Sequence, residues 1–147
     1  MDDPAPASLV RTVARVLLGL ALMYAGTGHL TFARTEFRAQ VPDWATFGPV
    51  DSDLVVLVSG VVELLLGAAL VLLVSHRVAV GWVVAAFFVA VFPGNVSQYV
   101  TGTDAFGLDT DAKRLVRLFF QPVLVVWALW STGAWAAWRE RKRGMLR

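Results

Sequence analysis

The sequence predicts an all-α fold, an integral membrane antiparallel four-helix bundle with N and C termini cytoplasmic, on three observations. Hydrophobic residues fill 57% of the 147 positions and mean hydropathy is +0.64, richer than an ordinary soluble core. Four apolar stretches, Leu9 to Phe32, Leu54 to Val74, Val78 to Val100 and Leu115 to Trp138, each approach the ~20 residues that ~30 Å of hydrocarbon requires. Backbone groups that cannot bond to lipid must bond within a helix. Lys and Arg are distributed unevenly about the ends of these stretches, which sets the orientation.

Arg11 and Arg15 precede the first stretch in the manner of a secretory signal. The run is long for an h-region and three further spans follow, so it is read as a retained span. The connection from Ala33 to Asp53 carries Phe37, Val41, Trp44 and Phe47 at roughly helical spacing among charges and prolines. Part of it is expected to lie on the membrane surface, as a lid or as an interfacial anchor held by Trp44. Only Ser75, His76 and Arg77 separate the second and third spans, which forces an antiparallel hairpin. Thr101 to Asp111 holds Gly102, Gly107 and three aspartates and reads as a solvated turn, with Asp109 or Thr110 capping the last helix. Trp127, Trp130, Trp135 and Trp138 gather toward the end of that helix as interfacial anchors. The chain is one membrane domain.

The N-terminal side carries Arg11 and Arg15, the second connection Arg77, and the tail Arg139, Arg141, Lys142, Arg143 and Arg147. The opposite side carries Arg34, Arg38, Lys113, Arg114 and Arg117, diluted by seven carboxylates from Glu36 to Asp111. Both termini are therefore expected in the cytoplasm, in the inner (plasma) membrane, with the first and third connections outside. A net charge of +2 gives no reason to expect nucleic acid as a partner. The absence of cysteine excludes chemistry on the chain's own thiols. His29 and His76 fall at opposite ends of the spans, so one chain cannot bring them to one iron, and no metal is expected.

Glu63 is the one ionisable residue between Leu54 and Val74. A carboxylate near the bilayer centre costs roughly 2.5 to 3.5 kcal/mol, so it faces a partner or a cavity. Rises of ~1.5 Å per residue place His29, Asn95, Gln98, Arg117 and Gln121 in the same outer half of the bundle, with Glu63 deepest at roughly 14 Å. Helical spacing puts His29 with Gly19 and Gly26, Glu63 with Gly60 and Gly67, Asn95 with Phe88 and Phe92, and Gln121 with Arg117 and Leu124. Small residues are what membrane helices use to approach closely, so the polar faces are expected to be the packed ones. Arg117 is the first candidate partner for Glu63 and His29 the second. Pro93 and Pro122 free the carbonyls of Val89 and Leu118 beside this cluster, and side chains or water must satisfy them.

The segments Ala25-Gly-Thr-Gly-His29-Leu-Thr-Phe32, Val41-Pro42, Ser59-Gly60-Val-Val-Glu63-Leu-Leu-Leu-Gly67, Val91-Phe-Pro93-Gly-Asn95 and Arg117-Leu-Phe-Phe-Gln121-Pro122 resemble, in order and spacing, the DoxX-like family of small four-helix bacterial membrane proteins. That resemblance implies association with quinone-linked or other membrane redox systems. The expected site is an outward-facing polar pocket of His29, Glu63, Asn95, Arg117 and Gln121 for a small quinone-like ligand, with Phe88, Phe92 and Trp44 covering its ring. The expected role is an accessory subunit of a membrane redox system, in contact with the lipid bilayer and with redox-enzyme partner subunits. Two other readings stay open: a structural or assembly subunit whose polar cluster only packs helices, and a proton-coupled carrier, which with four helices needs a homo-oligomer. No residue is singled out as catalytic.

Overall fold

The computed structural model describes residues 7–145, and among these there is no strand beyond an isolated bridge between Phe47 and Val50. In chain order the helices are α1 (Leu9–Leu30), the short α2 (Arg34–Arg38), α3 (Ser52–Leu72), α4 (Arg77–Thr101), α5 (Asp111–Ser131) and α6 (Ala134–Met145). Of these, α1, α3, α4 and α5 are long and apolar enough to cross a membrane. Arg147, counted in the charge balance above, lies outside the described residues.

Side-chain and polar residues choose the helix starts. The Ser8 hydroxyl accepts from Arg11 N–H, the Asp51 carboxylate from Leu54 N–H at 2.8 Å, and the Thr110 hydroxyl from Lys113 N–H. Each satisfies a donor that the first turn leaves without an intrahelical partner. Thr110, not Asp109, is thus the cap of α5. Gly102 ends α4 in the left-handed region at φ 64°, and Thr103 N–H bonds back to Gln98 O, the glycine stop of a Schellman turn.

The contacts between helices show that neighbours run antiparallel. Gly19 of α1 abuts Gly67 of α3, whereas Gly26, two turns later in α1, abuts Gly60, two turns earlier in α3. A Cβ on Gly26 would lie 2.7 Å from Gly60 O, and one on Gly67 would lie 2.6 Å from Gly19 O. The two backbones are therefore in contact, which only residues without a Cβ allow. On the other side Gly81 of α4 meets Thr132 just past α5, while Asn95, near the end of α4, meets Gln121 in the middle of α5. The Trp127 indole of α5 donates to Ala14 O of α1 at 2.9 Å, joining the two pairs.

The apolar core is concentrated toward the end where both described termini lie. Leu18, Leu22, Leu70, Val80, Val84 and Leu129 are buried there, with Leu66, Ala69 and Trp127 packed around them. That half nonetheless holds a buried cation. Arg15 is 3% exposed and donates to Leu70 O, placing a cation on the C-terminal carbonyls of α3.

The fourth span also ends earlier than Trp138. Gly133 adopts φ 78°, a conformation that L side chains resist, and the chain restarts as α6. Trp130 closes α5, whereas Trp135 and Trp138 belong to α6, where they meet edge to face with the Lys142 ammonium over the Trp138 ring. Apolar composition continues across this break, so hydropathy alone joined the two helices. The connection after α1 is not one amphipathic helix either. Helical structure covers Arg34–Arg38 and a turn at Asp43–Ala45, with Pro42 between them, because proline supplies no N–H to carry a helix through.

Candidate functional site

At the end opposite the termini the bundle does not close on itself, and a cavity of about 400 Å³ lies between the α1–α3 pair and the α4–α5 pair. Leu22, Phe88 and Leu124 belong to its apolar floor. His29, Glu63, Asn95, Arg117 and Gln121 all line it. Of the ring-covering residues, Phe88 and Trp44 line it and Phe92 does not.

The polar wall has two parts. On α4 and α5 the groups bond to one another in a chain. Gln121 donates through Nε2 to Phe88 O at 2.6 Å, and Asn95 donates through Nδ2 to Gln121 Oε1 at 3.0 Å. Arg117 donates through Nε to Asn95 Oδ1 at 3.1 Å and through Nη2 to Gln40 Oε1 at 3.5 Å. Gln40 in turn donates to Gln98 Oε1 at 2.7 Å, and Gln98 donates to the carbonyls of Thr103 and Ala105. Each amide both gives and receives, which is what a buried amide needs. Side chains were expected to serve the Val89 and Leu118 carbonyls that proline frees, and the side-chain bond beside Pro93 goes to a different carbonyl. Gln121 reaches Phe88 O, one position before the Val89 carbonyl that Pro93 leaves without its donor.

On α1 and α3 the arrangement differs. Glu63 does not pair with Arg117, the first expectation. Its Oε2 lies 2.7 Å from His29 Nδ1, the second. Close packing at Gly60 is the cause: a Cβ there would sit 2.7 Å from His29 Cβ, so the histidine is pressed onto the glycine one turn before Glu63. Arg117 is held on the far wall by Asn95 and Gln40. The His29–Glu63 contact is close but poorly directed. The ring N–H does not aim at the carboxylate, and neither His29 Nδ1 nor Glu63 Oε2 has a directional hydrogen-bond partner. Both side chains are at least nine-tenths buried.

A strap and a loop roof the cavity. The Phe37 ring packs against His29 with centroids 3.4 Å apart and against Phe106 at 4.6 Å. Arg117 lies over the Phe106 ring at 5.5 Å. Phe106 holds φ 54° and its N–H donates to Glu36 Oε2 at 2.7 Å, so the α4–α5 loop is tied to α2. Arg34 pairs with Asp53 at the start of α3, and the hydrogen bonds it donates to that carboxylate raise the pKa of the Arg34 guanidinium above its ordinary value. Gln40 and Phe106 were not anticipated from the sequence. Both stand in irregular connections, where no periodicity reports which way a side chain points.

These features define an all-helical protein with four helices long and apolar enough to cross a membrane and one mixed apolar and polar cavity between them. The chain belongs to the family described as Domain of unknown function (DUF8561), which matches residues 18–132. The match contains every residue of the cavity wall and leaves out all of α6. No curated protein and no solved structure matches the chain.

Proposed function

We propose that the cavity binds a small, ring-bearing and lipid-soluble molecule with polar oxygens, a quinone-like ligand. The observation that carries this reading is the split wall: a self-satisfied amide and guanidinium chain faces a buried His29–Glu63 pair whose polar atoms lack aimed partners. A cavity of about 400 Å³ falls in the usual range for a small-molecule site. Phe88 and Trp44 supply flat apolar surface for a ring, and His29 and Glu63 supply a donor and an acceptor for its oxygens. On this reading the protein is a multi-pass component of the plasma membrane, an accessory subunit to a membrane redox system. The cavity opens toward the outer leaflet and both termini are cytoplasmic. The charge balance of the connections and the resemblance to DoxX-like proteins support that placement.

Titration with an alkyl-benzoquinone, followed by thermal unfolding in detergent, tests the reading. Wild type is expected to rise in midpoint with ligand, and His29→Ala and Glu63→Gln to lose that rise. No rise for wild type, or an equal rise in both variants, refutes it. The satisfied chain through Asn95 and Gln121 favours a second reading, in which the polar cluster only packs helices. That reading requires Glu63→Gln to lower stability with no selective loss of a ligand response.

A further inference from the structure

The roof described above lies over the cavity at the end of the connections. It is held down by Arg34 to Asp53, Glu36 to the Phe106 N–H, Gln40 to Gln98, and Arg117 to Gln40. Phe37 and Phe106 meet beneath it. The flank between α3 and α4 is built differently. These helices are joined by a tight turn at Leu73–His76, and Leu66, Ala69, Val80 and Val84 pack them together near it. Toward the roof the packed core stops, and among the valines that line the cavity there stand small residues, Ser59 on α3 and Ala90 and Gly94 on α4, with Gly94 against the Gln40 carbonyl of the strap. Ala90 and Gly94 are four residues apart and share one side of α4. Ala90 lines the cavity and is also exposed on the surface of the bundle, in the part of α4 that a bilayer would cover.

From this geometry we infer that the cavity has a lateral portal, framed by Ser59, Ala90 and Gly94, through which its ligand passes directly from the hydrocarbon of the bilayer. The inference rests on the reading of the cavity as a ligand site and narrows the ligand to molecules that dissolve in the membrane. A water-dissolved solute would have to break the roof, whereas a molecule with an alkyl tail enters ring first and leaves its tail among the lipids. Small residues at the frame are what such a gap needs, since each added methylene at Ala90 or Ser59 projects into the opening.

Two measurements separate the portal from the ligand. The chain contains no cysteine, so Ser59→Cys in the full chain carries a single nitroxide spin label, read in bilayer nanodiscs without any ligand. The label is expected to collide freely with oxygen, which partitions into lipid, and weakly with a water-soluble nickel chelate. Adding Ala90→Phe is expected to cut the oxygen collision rate severalfold, and Ala90→Leu to cut it less. Nickel collision as frequent as at a labelled Thr103→Cys in the exposed loop, or oxygen collision unchanged by both plugs, overturns the portal. The second measurement follows tryptophan quenching by an alkyl-benzoquinone in the same nanodiscs. Association and release are both expected to slow by roughly tenfold in Ala90→Phe while Kd stays within about twofold, the signature of a narrowed path. Unchanged rates with Ala90→Phe again overturn the portal. Absence of quenching in wild type refutes the ligand reading and leaves the spin-label result to decide the portal.

Discussion

Gly26→Ala tests how closely α1 and α3 must approach for the site to exist. An added Cβ would fall 2.7 Å from Gly60 O, 3.0 Å from Leu64 N and 3.1 Å from Glu63 Cβ, where ordinary contact begins at 3.4 Å. Two of these neighbours are backbone atoms, which no rotamer change can move. Relief therefore requires the helices to part by about half an ångström or more, and overpacking of that kind costs about 1–3 kcal/mol. Alanine regains about 1 kcal/mol of helix propensity over glycine, so a net loss of up to about 2 kcal/mol is expected. The same displacement acts on the base of Glu63 and should lengthen its contact with His29. Gly144→Ala is the control, because nothing lies within 4 Å of its added Cβ within α6, and the propensity gain should appear there uncompensated. Reversible unfolding in mixed micelles measures both. If Gly26→Ala proves as neutral or as stabilising as Gly144→Ala, direct backbone contact between α1 and α3 is refuted.

Asn95→Ala removes both the bond to Gln121 and the acceptor for Arg117 Nε and is expected to cost about 1–3 kcal/mol, read as a lower unfolding midpoint; a change below about 0.5 kcal/mol would mean that water replaces the amide. Gly133→Ala forces a Cβ into φ 78° at a cost of roughly 1–2 kcal/mol, measured the same way, and a neutral result would show that the α5–α6 junction can straighten. The hydrogen bond from Lys113 holds the Asp109 carboxyl below its ordinary value. A depressed carboxylate contributes stability that is present above its unfolded pKa of ~3.9 and lost as pH falls through the lower folded value. Amide protection in the loop before α5, taken relative to the intrinsic exchange rate at each pH, should therefore be constant at neutral pH and fall only in acid below about pH 4, and Asp109→Asn should remove that acid dependence.

The bundle was legible in the sequence because both of its determinants are local. Hydropathy over a turn or two located the spans, and α1, α3, α4 and α5 begin within a few residues of the expected positions. The same local logic failed at Gly133, where Ala and Trp on both sides keep composition apolar while one left-handed residue turns the chain. Helical periodicity likewise put His29, Glu63, Asn95, Arg117 and Gln121 on inward faces, and all five line one cavity. Periodicity carries no information about the distance between two faces, so it could not choose a partner for Glu63.

That distance is set by glycine. Where α1 and α3 meet through Gly19, Gly26, Gly60 and Gly67, backbone touches backbone, and the side chains flanking the glycines are brought within hydrogen-bond range. His29 and Glu63 flank them; Arg117 does not, and across the cavity it finds Asn95 and Gln40 instead. A substitution pattern follows from this division. Enlarging Gly60 should disturb the His29–Glu63 pair and leave the Asn95–Gln121–Arg117 chain in place, whereas Asn95→Ala should do the reverse. Combining the two should give additive losses of stability, within about 0.5 kcal/mol, because the walls share no hydrogen-bond partner and meet only through the Phe37 and Phe106 rings. Coupling well beyond that would mean that the α1–α3 and α4–α5 walls communicate across the cavity, and that the space between them is not independent of the helices that enclose it.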